Sequence, residues 1–232
     1  MNSSNGAYPY FEKKQAWSSH WYIRRWLAEF KPGTKVLDIG AASGILGQAF
    51  SDSGFFLTGL EPNAKWAAIA RPYYQKFWEG TVENASPEIL EGHNVVILAD
   101  VLEHLSSPEE VLKQLINVQP EGCIFFVSVP NIANISIRFN LLIGRFDYQE
   151  RGILDQTHLR LFTRQTLFKL LESSGLDILE CKVTPIPLAL VDPFFESSVV
   201  GRQLYSGLNL LSRTFPTLLG YQFVVKAQKR SC

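Results

Sequence analysis

One stretch constrains this chain more than any other: Lys35-Val36-Leu37-Asp38-Ile39-Gly40-Ala41-Ala42-Ser43-Gly44-Ile45-Leu46-Gly47. A short apolar run closed by glycine predicts a buried strand, and the spacing of Ile45, Leu46, Ala49 and Phe50 predicts a helix after it. The turn between them holds only small residues, so the backbone can pass close to whatever sits above the strand. The new helix N-terminus offers free N–H groups and a partial positive charge. The spacing Gly40-x-x-x-Gly44 is not the Gly-x-Gly-x-x-Gly of a dinucleotide loop, and no Gly-Lys-Ser/Thr follows as a Walker loop requires. A structural glycine turn in some other α/β protein is the plainer alternative.

The chain then repeats strand and helix. Phe55 to Leu60 reads as a second strand closed by Glu61-Pro62-Asn63. In doubly wound sheets an acid about 20 residues past the glycines grips ribose hydroxyls, and Glu61 stands there. A carboxylate can accept two hydrogen bonds from a vicinal diol; the bland alternative is a solvated turn acid. Asn63 is placed to cap a helix from Ala64 to about Arg71, stopped by Pro72. Lys76 to Glu79 forms a short third strand followed by Gly80-Thr81-Val82-Glu83. Asn94 to Ala99 is an apolar fourth strand, as expected where both faces are covered. It delivers Ala99, Asp100 and Val101 to the crevice beyond the strand ends. Ser107-Pro108-Glu109-Glu110 reads as a capped helix start. Val111, Leu112, Leu115 and Val118 form the buried face of that helix. Gly122 to Val129 is a fifth strand.

The pattern Val36-Leu37-Asp38-Ile39-Gly40-Ala41-Ala42-Ser43-Gly44 resembles motif I of the class I S-adenosylmethionine (SAM) methyltransferases. That resemblance implies a seven-stranded Rossmann-like sheet, helices on both faces and the last strand antiparallel. It implies SAM as cofactor and S-adenosylhomocysteine as product. Asp38, Gly40, Ala41, Ala42, Ser43 and Gly44 would lie around the methionine half, Glu61 and Pro62 at the ribose, and Thr81, Val82 and Glu83 at the adenine. Asp100-Val101-Leu102-Glu103-His104-Leu105 resembles the acid-His-Leu signature that sits beside the sulfonium, which adds Ala99, Asp100, Val101 and His104. Asn94 replaces an aspartate common at the start of that strand. Asp155-Gln156-Thr157-His158-Leu159-Arg160-Leu161-Phe162-Thr163, with Gly144-Arg145-Phe146-Asp147-Tyr148, is similar to a motif of bacterial methyltransferases tied to glycan and cell-envelope pathways. The resemblance covers roughly Val36 to Cys181.

The expected activity is methyl transfer to a small-molecule or glycan- or lipid-linked acceptor, with O-methylation favoured. A hydroxyl acceptor needs a base, and histidine is the usual one near neutral pH. His158 is the candidate, oriented by Asp155; His104 is the competitor nearer the cofactor. A brace for the long polar segment Asn131–Phe162 is the alternative role for His158 and Arg160. A SAM-binding regulator or partner subunit without chemistry is the rival function. A NAD-linked oxidoreductase is disfavoured by the glycine spacing. No metal-type cluster of His, Asp and Glu is evident in the sequence, so no metal is expected.

Composition bounds the rest. With 22 basic and 22 acidic residues the chain carries no electrostatic footprint for a nucleic acid. Cys123, Cys181 and Cys232 form no Cys-x-x-Cys pair, which points to free thiols in a reducing compartment. The absence of a leader pattern or a long apolar run fits a cytoplasmic protein, monomer or homodimer, with peripheral membrane contact open. Met1 to Tyr10 reads as loose. Within the N-terminal helical segment, residues 1–30, aromatics recur at helical spacing (Trp17, Trp21, Trp26, Phe30), and core packing is favoured over substrate stacking. The methyltransferase-type domain then spans 31–232. Thr163 caps a helix through Ser174, and Leu176 to Val183 is a sixth strand. A cap-like insertion at about 184–220 precedes a last strand from Tyr221 to Ala227.

Overall fold

The computed structural model describes residues 16–188 and 192–231. The segment Met1 to Tyr10 and Cys232 lie outside the described residues. In chain order the elements are α1 (Ser19–Leu27), β1 (Lys35–Ile39), α2 (Ile45–Phe50), β2 (Phe56–Glu61), α3 (Ala64–Ala70), β3 (Lys76–Glu79), α4 (Pro87–Leu90), β4 (Val95–Ala99) and α5 (Pro108–Val118). They continue with β5 (Ile124–Pro130), α6 (Ile135–Leu142), α7 (Arg164–Ser173), β6 (Leu176–Thr184), α8 (Phe194–Ser197), α9 (Val199–Thr214), α10 (Pro216–Leu219) and β7 (Gln222–Lys229).

The seven strands form one sheet in the order β3-β2-β1-β4-β5-β7-β6. Strands β1 to β5 pair in parallel, and β7 runs antiparallel between β5 and β6. This is the architecture expected from the sequence. Ile39 lies beside Leu60 on one side and Leu98 on the other. The strand order therefore reverses direction at β1, and the ends of β1, β2 and β4 open together as a topological switch point.

Successive strand residues point to opposite faces, and the sequence supplies apolar residues for both. Leu37, Leu98, Phe125 and Val225 pack on one face with Leu112 and Leu115 of α5 and Leu167 of α7. Val36, Ile97, Phe126 and Val224 pack on the other with Ile23, Trp26 and Leu27 of α1. Trp26 stacks on Phe126 with ring centroids 5.4 Å apart, and its Nε1 donates to Glu180 Oε2 at 2.9 Å. Its partner below is core and its polar edge is satisfied, so the core reading of this tryptophan holds.

Local signals are uneven in what they deliver. Asn63 caps α3, its Oδ1 accepting from Lys65 N and Trp66 N. Thr163 and Thr166 close a reciprocal capping box on α7. Ser107, expected to cap α5, makes no side-chain cap bond. The long segment after β5 is not loop throughout: Asn134 caps α6 through Ser136 N, and the helix continues to Leu142. Asn131 Nδ2 and Asn134 Nδ2 both donate to Gly220 O, at 2.8 and 2.9 Å. These bonds tie the insertion to the end of β5. Helix α9 of the insertion packs against β6, and Tyr205 meets Trp17 with ring centroids 5.6 Å apart. No helix among the described residues is long and apolar enough to cross a membrane.

Candidate active site

A cavity of about 600 Å³ lies over the ends of β1 to β4, within the range of small-molecule sites. Of the residues expected from the sequence, Asp38, Gly40, Ala41, Ala42, Glu61, Pro62, Thr81, Val82, Glu83, Ala99, Asp100, Val101 and His104 line it. Ser43, Gly44, Asp155 and His158 do not. His20, Asn63, Trp66 and Leu105 line it as well, beyond the sequence expectation. Asn63 and Leu105 flank motif positions, but His20 and Trp66 carry no local signal. Only the packing of α1 and α3 brings them in. Among the described residues of the 184–220 insertion, none lines this cavity.

The turn after β1 exposes its backbone. Gly40, Ala42 and Gly44 all have positive φ, at +73°, +46° and +80°. A Cβ on Gly40 would stand 2.8 Å from a Val101 methyl carbon. The same turn is clamped from β2. Ala42 N donates to Glu61 Oε2 and Asn63 N to Glu61 Oε1, each at 2.9 Å. Each oxygen retains a further acceptor site. Burial raises the Glu61 pKa, and the two amide bonds oppose that rise.

Asp38 is buried at the mouth of β1. Tyr74 Oη donates to its Oδ2 at 2.5 Å and accepts from Gly47 N at 3.2 Å. Desolvation by burial pushes the Asp38 pKa up to about 7, against the lowering effect of the Tyr74 bond. Asp100 takes a left-handed backbone, φ +57°, at the end of β4. Ser128 Oγ donates to its Oδ1 at 2.6 Å, and Gln222 Nε2 lies 2.9 and 3.0 Å from its two oxygens.

The histidines depart from expectation. Asp155 does not orient His158. Its Oδ1 accepts from Thr157 N at 2.8 Å and Thr157 Oγ1 at 2.6 Å. A short turn is closed locally because the carboxylate lies two residues from that amide. His158 Nδ1 instead faces the Ile153 carbonyl at 3.1 Å. Asp155 serves His104 at one remove: His104 Nδ1 lies 3.2 Å from both Thr157 O and Thr157 Oγ1. A carbonyl only accepts, so Nδ1 is the donor in each of these contacts, which makes Nε2 the basic nitrogen of the neutral ring. The two rings meet edge to face, centroids 4.9 Å apart. Burial, and then the charge of His158, lower the His104 pKa. Arg160 Nη2 and Nε donate to Ser106 O at 2.6 and 3.2 Å, which is the alternative, bracing role. The sequence expectation of no metal-type cluster is also corrected. One ligand-type atom from each of Glu103, His104 and His158 lies within 4.8 Å of the others. His158 stands too far along the chain for any spacing rule to join it to Glu103-His104. His93, in contrast, is a core residue held between Thr58 Oγ1 and the Leu90 carbonyl.

A family model described as a methyltransferase domain matches residues 16–181, well over half of the chain. The chain belongs to this methyltransferase family. The expected class I methyltransferase is therefore borne out in family and in fold. A ubiquinone biosynthesis O-methyltransferase of Proteus mirabilis is 29% identical over 119 residues, 48% of this chain and 48% of that one. The chain thus spans about half the length of that relative. In structure it is similar to a SAM-dependent methyltransferase from Archaeoglobus fulgidus: TM-score 0.61, 20% identity, covering 94% of this chain and 98% of the other. It is also similar to the magnesium protoporphyrin IX methyltransferase of Synechocystis with bound S-adenosylhomocysteine: TM-score 0.60, 15% identity, covering 90% and 81%.

Proposed function

We propose that this protein transfers a methyl group from SAM to a hydroxyl of a small-molecule or glycan- or lipid-linked acceptor. The observation that carries the reading is the Glu61 carboxylate, pinned by Ala42 N and Asn63 N with acceptor capacity left on each oxygen. It stands at the end of β2 beside a bare-backbone turn, which suits a ligand with a ribose diol and no phosphate. Gly40 and Ala41 would hold the methionine half with Asp38, whose carboxylate suits an ammonium. Thr81, Val82 and Glu83 would flank the adenine. When bound, SAM supplies an electrophilic methyl on a sulfonium.

What remains for the protein is to place and deprotonate the acceptor. Alignment of two reactants accounts for much of such catalysis. His104 faces the crevice beside the end of β4, and its Nδ1–H is fixed by Thr157, so Nε2 is its basic nitrogen. We assign it the acceptor-side proton-accepting role, with His158 packed behind it. The likeness to a ubiquinone biosynthesis O-methyltransferase supports oxygen as the methylated atom. The rival, a SAM-binding subunit without chemistry, would have no use for the paired imidazoles.

Calorimetric titration with SAM, followed by assay of S-adenosylhomocysteine release with phenolic and glycan acceptors, tests the reading. Binding with release in the presence of one acceptor class supports it. SAM binding without release from any acceptor supports the regulator. No SAM binding overturns both.

A further inference from the structure

The polar cluster behind the crevice holds more donors than a general base needs. A base requires one lone pair. Here two imidazoles stand edge to face, and the Glu103 carboxylate beside them is buried, 1% exposed. Their ligand-type atoms lie within 4.8 Å of one another. Each imidazole donates its Nδ1–H to a main-chain carbonyl, His104 to Thr157 and His158 to Ile153. That is the outer-shell pattern of metal-binding histidines: the second nitrogen is fixed as a donor and the first is left basic. The two segments are also stitched together. Glu103 O accepts from Leu159 N at 2.8 Å and Arg160 N at 3.0 Å. The cluster is therefore held in place by main-chain bonds.

We propose that Glu103, His104 and His158 bind a divalent transition-metal ion just behind the crevice, with His104 the ligand that faces it; with the ion bound, the His104 lone pair is a ligand and no longer the proton acceptor. Two imidazole nitrogens and one carboxylate favour a borderline ion such as Zn²⁺ over Mg²⁺ or Ca²⁺, which prefer all-oxygen sets. Three protein ligands leave coordination positions open. A hydroxyl taken there would release its proton to bulk water more readily, which narrows the acceptor to a compound with a metal-binding oxygen. The site's role rests on the methyl-transfer reading; its existence does not.

The test uses the full chain stripped with a chelator. Zn²⁺ binding is followed by calorimetry, and Co²⁺ binding by visible absorption. One ion per chain is expected. His158→Gln and Glu103→Gln should each weaken binding at least roughly 100-fold, because even outer-shell partners cost about 10–100-fold. Thr157→Val leaves all three ligands and the Thr157 carbonyl in place but removes the Oγ1 that also faces His104 Nδ1; it should cost up to roughly tenfold and covers the case in which Glu103→Gln fails to fold. No binding by the folded chain, or undiminished binding in every variant, overturns the inference. If Zn²⁺ does not bind yet His104→Gln abolishes methyl transfer, the base reading stands and the metal site falls. If Zn²⁺ binds through these residues and SAM does not bind, the metal site stands and the methyl-transfer reading falls.

Discussion

Tyr74 Oη lies 2.5 Å from Asp38 Oδ2, a hydrogen bond between the segment after α3 and the crevice end of β1. It is the main polar support of a carboxylate that is only 4% exposed. Burial dominates, and the Asp38 pKa rises to about 7. Between about pH 4 and pH 7 the folded chain therefore holds a proton on Asp38 that the unfolded chain has released. Stability contributed by this group falls as pH rises through that window, by roughly 1.4 kcal/mol for each pH unit crossed. His93, buried with a lowered pKa, acts in the opposite sense below its ordinary value. The comparison must be made against a variant. Asp38→Asn should lack the Asp38 component, so the difference in urea stability between parent and variant should grow in the variant's favour from about pH 4.5 to about pH 7.5. A constant difference across that range removes the assignment.

Glu61 has two tasks in this structure. It closes the turn through Ala42 N and Asn63 N and offers its remaining acceptor sites to the crevice. Glu61→Ala should weaken SAM by roughly 1–3 kcal/mol and also lower stability, since two amides lose their acceptor. Glu61→Gln keeps one acceptor oxygen and should fall between parent and alanine in both measurements. Calorimetry and thermal denaturation on the three proteins check this. Parent-like SAM affinity in Glu61→Ala would remove Glu61 from the ribose role.

The glycine turn, Glu61 and the β4 end are legible in the sequence because strand-end positions follow from local pattern alone. Gly40, Glu61 and Asp100 each sit where an apolar run stops, and parallel register then aligns those ends. Contacts made by distant segments are not legible. Asp155 looks like a partner for His158 because the two are close in sequence. The turn it closes on Thr157 sends that carboxylate toward His104 instead. Glu103 gives no sign of meeting His158, because loop geometry after α6 decides it. The insertion's position is equally hidden: its helical period is plain, yet only the bonds from Asn131 and Asn134 reveal that it is fastened to the end of β5.

Gly47 offers a prediction about the turn's support rather than the turn itself. A Cβ there would stand 2.5 Å from the Tyr74 ring. Gly47→Ala removes a helix-interior glycine, which alone would favour α2 by about 0.5–1 kcal/mol. It must also displace Tyr74 and break the bond to Asp38. The net effect expected is destabilisation, together with loss of the Asp38 component described above. Tyr74→Phe/Gly47→Ala should then cost less than the sum of the two single changes, since both disrupt one contact. Additive losses would show that Gly47 and Tyr74 act independently.

The end of β4 is held from β7, two places along the sheet. Asp100 adopts a left-handed backbone that non-glycine residues rarely take, and such strain costs about 1–3 kcal/mol. Ser128 Oγ and Gln222 Nε2 offset it by bonding the carboxylate. Gln222 is the first residue of β7, the antiparallel strand that returns after the insertion. Replacing it by Leu should cost roughly 1–3 kcal/mol by leaving a half-buried carboxylate short of a donor. Replacing it by Glu sets two carboxylates against each other, and one of the pair must then bind a proton well above its ordinary range. Gln222→Glu should therefore be less stable than Gln222→Leu at about pH 8. The gap should close toward about pH 5, because the folded state takes up a proton that relieves the repulsion. Urea denaturation of both variants at the two pH values checks this. A gap that is unchanged, or that widens on acidification, would mean that Gln222 does not hold Asp100 through its amide.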